Sequence, residues 1–194
     1  ICVTNINRQL PAMSGTIGKL KTEVMSERVK LIKPECTVNI IDDFISPENQ
    51  SDYLNRGYDY VIDAIDNVKT KASLIAYCKR NKINVITIGG AGGQTDPTQI
   101  QIADLSKTIQ DPLLAKVRSV LRKDYNFSQN PKRKFSIDAI FSTQPLIFPQ
   151  MTEGCAISAT MNCANGFGAA TMITATFGFF AVSRVIDKLL KKKS

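Results

Sequence analysis

Apolar residues recur at spacings of three and four between residues 17 and 33: Ile17, Leu20, Val24 and Leu31, with Met25 and Ile32 alongside. That period keeps one stripe on one face, so it predicts an amphipathic helix, stopped by Pro34. Thr37–Ile41 reads as a short strand. Pro47 opens a brief helix to about Asn55. Tyr58–Asp63 reads as a buried strand centred on Val61 and Ile62. Lys69–Asn81 follows as a helix that packs Leu74, Ile75 and Cys78. Ile83–Ile88 is a β-branched strand. Gly89-Gly90-Ala91-Gly92-Gly93 breaks the pattern with a loop that needs unusual backbone angles. Gln99–Ala103 alternates as a strand. Pro112 to about Lys123 is a helix, and Asn126–Lys134 is a polar loop. Ala139–Phe148 supplies one or two strands, and residues 165–190 the last helix.

Helices alternating with strands imply βαβ units and a parallel sheet, and the later strands suggest an antiparallel extension. A doubly wound sheet of this kind places its ligand outside the carboxyl ends of its strands. The residues expected there are Asn5, Arg8, Asp63, Asp66 and the 89–93 loop.

Composition narrows the chemistry. The chain has 194 residues, 43% hydrophobic and 22% charged, which suits one globular domain. It contains no His, which excludes Ser-His-Asp and Cys-His nucleophiles and the histidine zinc motifs. Carboxylates, Lys, Arg, Cys, hydroxyls or a cofactor must do the work. The net charge of +8 is uneven. Lys116, Arg118, Arg122, Lys123, Lys132, Arg133 and Lys134 face only Asp124 between residues 116 and 134. Arg184, Lys188, Lys191, Lys192 and Lys193 face only Asp187 in the tail. Such clusters suit a polyanion such as RNA or an anionic lipid surface, and equally suit solvated helix faces.

The five cysteines, Cys2, Cys36, Cys78, Cys155 and Cys163, are odd in number and lack CxxC spacing. A disulfide framework and a structural zinc are therefore not expected, and a reducing cytoplasm fits. Residues 154–183 carry no charged side chain, and 164–182 are followed by Arg184 and lysines. Length and flanking charge are compatible with membrane contact through this C-terminal apolar helix. Three Gly, three Thr and one Asn within 164–182 favour instead a helix buried in a core or a dimer.

Four features coincide in the region expected to bind ligand. Asn5-Ile6-Asn7-Arg8-Gln9 follows a strand end, and Gly18 to Glu23 opens a helix around Lys21. Val61-Ile62-Asp63-Ala64-Ile65-Asp66-Asn67 ends a second strand, and Lys71 lies about one turn later. Asn, Arg, Lys and an acid on one sheet edge suit a nucleoside triphosphate, with Arg and Lys meeting phosphate charge and Asp66 a Mg²⁺ ion. Singly, each has a plainer reading as a helix cap or a surface charge. In this order and spacing, Asn5, Arg8, Gln9, Lys21, Asp63, Asp66 and Asn67 resemble the motif of the E1-like adenylating enzyme superfamily. The longer runs 61–66, 74–78, 89–101, 107–112 and 163–171 are similar to the branch of that superfamily that dehydrates threonylcarbamoyladenosine in tRNA.

The resemblance implies a Rossmann-like parallel sheet with an antiparallel extension, forming a single adenylating domain over residues 1–194. It implies ATP-dependent cyclisation of N6-threonylcarbamoyladenosine at tRNA position 37. The substrate carboxylate attacks the α-phosphate, pyrophosphate leaves, and the acyl-adenylate closes intramolecularly with loss of AMP. Arg8, Lys21 and Asp66 would be catalytic. Asn5, Arg8, Gln9, Lys21, Asp63, Asp66 and Asn67 would hold the nucleotide, with Mg²⁺ on Asp66. Gly90, Gly92, Lys132, Arg133 and Lys134 are candidates for the tRNA. A monovalent cation is a further candidate cofactor. The implied partners are tRNA, a second copy in a homodimer, and a sulfur-transfer or cysteine desulfurase system. The family's glycine-rich phosphate loop precedes the Asn-x-x-Arg motif, so the chain reads as N-terminally truncated. The join near Gln150-Met151-Thr152 is shorter than the family expects.

Two other readings compete. Activation of a ubiquitin-like sulfur carrier would use a Cys such as Cys155 or Cys163, but there is no CxxC pair and no Cys from 79 to 154. A non-enzymatic RNA-binding module would explain the charge but not the Asn-Arg-Lys-Asp constellation. Gly166-Phe167-Gly168-Ala169-Ala170-Thr171 imitates a dinucleotide fingerprint, yet lacks the preceding strand and the third Gly.

Overall fold

The computed structural model describes residues 1–148 and 168–191. The chain divides into two compact units, Ile1–Phe44 and Ile45–Ser194.

The first unit has two 3-10 turns, Val3–Asn5 and Ser14–Thr16, and helix α1 (Lys21–Ile32). Its helix starts four residues later than the apolar spacing predicts. Gly18 has a φ of +87° and donates its N–H to Ile1 O at 2.9 Å, so the chain turns there before the helix can begin. Thr16 Oγ1 donates to Pro11 O at 2.6 Å and accepts from Met13 N at 2.9 Å, which ties the turn together. Thr37–Ile41 forms no strand. A β-branched run becomes a strand only when a neighbour completes its ladder, and none pairs with it among the described residues.

The second unit contains helix α2 (Gln50–Leu54), strand β1 (Val61–Asp63), helix α3 (Val68–Arg80) and strands β2 (Val85–Ile88) and β3 (Ile100–Asp104). Helix α4 (Pro112–Asp124), strand β4 (Asp138–Ser142) and helix α5 (Thr171–Lys191) complete it. The sheet order is β1-β2-β4-β3. The first two pairings are parallel, with Val61 opposite Val85 and Ile86 opposite Asp138. β3 runs antiparallel to β4, with Ile102 opposite Ile140. The Rossmann-like parallel sheet with an antiparallel extension is therefore present.

Alternation along each strand sorts the core into two layers. Val85, Ala139 and Phe141 point to one face, where α3 brings Ala72, Ile75 and Cys78 and α4 brings Leu114, Val117 and Leu121. Ile86, Ile100 and Ile140 point to the other, where α5 lays Ile173, Phe177, Ala181 and Val185. Both helix entries are signalled locally. Asn67 caps α3 by accepting from Thr70 N at 3.1 Å, and Asp111 caps α4 ahead of Pro112.

The expected membrane contact through the C-terminal helix, and with it membrane association, is corrected here. No helix among the described residues is long and apolar enough to cross a membrane. Helix α5 spends its apolar stripe on the sheet. Its last turns carry Arg184, Asp187, Lys188 and Lys191, and Arg184 Nε reaches Asp138 Oδ2 at 2.8 Å. Four charged groups in one helix end are costly in hydrocarbon. The described part of the uncharged run thus leads into a helix packed on a sheet face. Residues 149–167, which include Gln150–Thr152, Cys155, Cys163, Gly166 and Phe167, lie outside the described residues.

Candidate functional site

The carboxyl ends of β1, β2 and β4 share one edge of the sheet, as parallel pairing requires. Asp63 ends β1 there, fully shielded from solvent. Its Oδ2 accepts from Thr87 Oγ1 at 2.7 Å and pairs with Lys71 Nζ at 2.9 Å, and its Oδ1 accepts from Ile65 N at 3.0 Å. Lys71 Nζ also donates to Ile65 O at 2.9 Å and to Asp63 O at 3.4 Å. Burial pushes the Lys71 ammonium pKa down against the pull of Asp63, Asp111 and Asp66. Such a pair persists because every donor finds an acceptor. Lys71, expected from sequence as a phosphate cation, is turned inward instead, and it ties α3 to the end of β1.

This tie shapes the segment carrying the acid motif. Residues 63–67 are folded over the Lys71 ammonium, and Asp66 is left exposed at the sheet edge. The two aspartates of one motif thus do different things. Asp63 has its carboxylate engaged inside the protein, while Asp66 faces outward. Asn67 is exposed, with its side-chain oxygen committed to the cap of α3.

A second buried acid lies beneath the glycine loop. Asp111 Oδ2 accepts from Gly90 N at 2.9 Å, and Oδ1 accepts from Leu114 N at 2.8 Å. Burial raises its pKa, against the lowering effect of those amides and of Lys71. A Cβ on Gly89 would stand 1.9 Å from Asp111 Oδ2, so glycine is required there for close approach. Gly89 N donates to Ile140 O at 2.8 Å. Gln94 Nε2 donates to Gly90 O at 3.1 Å, and its buried Oε1 has no partner among the described residues. Gly93 has a φ of +69° and accepts from Ile147 N, while its own N–H donates to Gly168 O, both at 2.8 Å. Gly90 therefore spends its amide on an internal carboxylate. Gly92 lies half-buried in the same loop.

In the first unit Asn5 is buried and organises its own turn. Its Oδ1 accepts from Cys2 N at 3.0 Å, and its backbone oxygen accepts from Arg8 N at 3.1 Å and Gln9 N at 2.9 Å. Asn5, Arg8 and Gln9 are thereby held in one turn. The Arg8 guanidinium bonds Thr4 O. Lys21 begins α1 and is exposed.

The predicted tRNA residues fall at opposite edges of the second unit. Gly90 and Gly92 belong to the carboxyl edge. Lys132, Arg133 and Lys134 are exposed in the loop leading into β4, at the amino edge. Two neighbours in the same basic run are structural: Arg118 bonds Thr108 Oγ1, and Arg122 lies 5.3 Å from the Phe135 ring centroid. The sequence reading missed Asp111 and Thr87. Asp-Pro ahead of a helix signals a cap, but nothing local signals a reach across 21 residues to Gly90.

The fold and the acid motif define an adenylate-forming class, and the chain belongs to the ThiF family, whose model matches residues 1–194. It is 98% identical over 194 residues to the tRNA threonylcarbamoyladenosine dehydratase of Haemophilus influenzae strain KW20 Rd, covering 100% of this chain and 74% of that protein. It is 55% identical over 200 residues to the protein of the same name from Escherichia coli K12, covering 99% of this chain and 74% of that one. A crystal structure of E. coli tRNA N6-threonylcarbamoyladenosine dehydratase in complex with ATP superposes with a TM-score of 0.89 at 52% identity. It covers 100% of this chain and 73% of that one.

Proposed function

We infer that this chain carries out the ATP-dependent dehydration of N6-threonylcarbamoyladenosine in tRNA. The 98% identity to a tRNA threonylcarbamoyladenosine dehydratase over the whole chain carries this reading, and the ATP-bound structure of a relative supports ATP as the co-substrate. The substrate carboxylate attacks the α-phosphorus of ATP, and the α–β bridging bond breaks to release pyrophosphate. The acyl-adenylate then closes on a nitrogen of its own substituent, and AMP leaves with the carboxylate oxygen. The net change is loss of one water from the nucleoside. Proximity drives the second step, because nucleophile and carbonyl share one substituent. No imidazole or thiol is needed, in keeping with a chain that has no His.

The first step brings an anionic carboxylate to an anionic triphosphate, so positive charge must be fixed beforehand. We assign that role to Arg8 and Lys21, with Asn5 and Gln9 fixing the turn that carries Arg8. Asp66 is the acid for a nucleotide-borne Mg²⁺. No group of three or more Cys, Asp or Glu residues that could cage a metal occurs among the described residues. A lone exposed carboxylate suits Mg²⁺, which commonly takes one or two carboxylates plus phosphate oxygens and water. When bound, the ion would offset charge on the phosphates. Asp63, through Lys71, positions Asp66.

The test is turnover by the full-length protein carrying this chain, supplied with ATP and threonylcarbamoyl-modified tRNA. AMP and the cyclised nucleoside should form together, and Asp66→Ala should abolish both. Pyrophosphate exchange triggered by a ubiquitin-like protein with a Gly-Gly tail, and not by tRNA, would overturn the assignment.

A further inference from the structure

At the amino ends of the parallel strands, on the edge opposite Asp66, lies a groove of about 1000 Å³. Six cations line it: Lys79 and Lys82 at the end of α3, Lys134 before β4, and Arg184, Lys188 and Lys191 on α5. Two carboxylates share it. Asp138 is engaged by Arg184 at 2.8 Å and Lys188 at 3.8 Å. Asp104 accepts from Ser106 N, Phe135 N and Ser136 N. Lys79, Lys82 and Lys134 form no ion pair with a carboxylate among the described residues. The groove thus keeps an uncompensated positive charge.

Lys82 sits at φ +57°, just past the end of α3, where Ile83 N donates back to Cys78 O at 2.9 Å. Helix ends of this geometry favour glycine, because a Cβ is strained in the left-handed region. Ser136, also in the groove, has a φ of +58°. Two of the four non-glycine residues with positive φ among the described residues therefore line one groove. Strained backbone of this kind clusters where function requires it. At position 82 the strain keeps an ammonium where glycine would offer none.

We propose that this groove binds the sugar-phosphate backbone of the tRNA, away from the nucleotide under reaction. The inference rests on tRNA being the substrate. The two edges are separated by the length of β4, roughly 13 Å at about 3.3 Å per residue, so one RNA stem can meet both. Exposed lysines without carboxylate partners suit phosphates, which are recognised by charge without regard to sequence.

The experiment compares wild type, Lys82→Gly and the triple variant Lys79→Gln/Lys82→Gly/Lys134→Gln in the full-length protein. The expected melting temperature of Lys82→Gly equals or exceeds that of wild type, since the left-handed strain is relieved. For the triple variant, tRNA affinity should fall about tenfold at moderate salt. The slope of log affinity against log salt should flatten by about 2. ATP binding in the absence of tRNA should not change. A triple variant that keeps the wild-type slope overturns the groove and leaves the dehydratase reading standing. Loss of binding to poly-glutamate with tRNA affinity intact would instead assign the groove to an acidic protein segment. A wild-type protein that binds no tRNA overturns both.

Discussion

The two edges of the sheet handle charge in opposite ways. At the carboxyl edge the ionised groups are few, and the buried ones are each tied to a fixed partner. Asp63 and Lys71 are both fully shielded, while Asp66 is offered outward. At the amino edge the charges are many, exposed and mostly lysine, on side chains that can move. Chemistry at a phosphorus atom needs groups held in advance in one geometry. Holding a flexible polyanion needs charge density rather than exact placement. On the proposed assignments one sheet could serve both tasks, because the ends of its strands are separated by the sheet's own core.

The largest expected effect comes from breaking the buried pair. Lys71→Met strands the Asp63 carboxylate without a counter-charge and should cost about 3–5 kcal/mol of stability, read by denaturant unfolding. Asp66→Asn, at an exposed position, should leave the unfolding curve unchanged while lowering turnover on modified tRNA by about 10²–10³-fold. If the two substitutions lose stability equally, the division of labour between the two aspartates is wrong. Gly89→Ala should cost about 1–3 kcal/mol, because Asp111 must move and leave the Gly90 amide without its acceptor. Amide exchange at Gly90 should rise in step.

The smallest effect separates the edges by pH. At Asp104 burial alone would raise the pKa, but hydrogen bonds from Ser106, Phe135 and Ser136 outweigh it and hold it below the ordinary carboxylate value. Its contribution is therefore fully present above about pH 4 and is lost as pH falls through the lower folded value. Asp104→Asn should flatten the acid limb of stability by less than about 1 kcal/mol. Asp111 has the opposite sign. Its folded pKa is raised by burial, so stability should decline as pH rises from the ordinary carboxylate value through that folded value. Asp111→Asn should remove this decline, as seen in melting temperature against pH.

The second unit was legible in sequence because its signals are local and agree with one another. Pro112 fixes the start of α4, and β-branched alternation marks β2 and β3. The expected antiparallel extension is there, but β3 is the reversed strand, and the long connection through α4 returns β4 to run parallel with β2. What failed depended on distant partners. Thr37–Ile41 has strand composition and no ladder. The 154–183 run is uncharged, but the described part, helix α5, finds its apolar partner in Ile86, Ile100 and Ile140, residues that hydropathy along the chain cannot connect to it. At the candidate site, the Asp-x-x-Asp-Asn spacing located both acids but could not tell the buried one from the exposed one. That distinction rests on Thr87 and Lys71, which only the folded sheet brings to Asp63. Lys71 itself was legible as a cation near the acids but not as one facing inward.

Gly93 holds the chain on either side of residues 149–167, accepting from Ile147 and donating to Gly168. The two ends of that stretch are thus fastened to a single residue. A side chain at Gly93 would be strained at its φ of +69°, so a substitution there would loosen the segment after β4 and the one before α5 together.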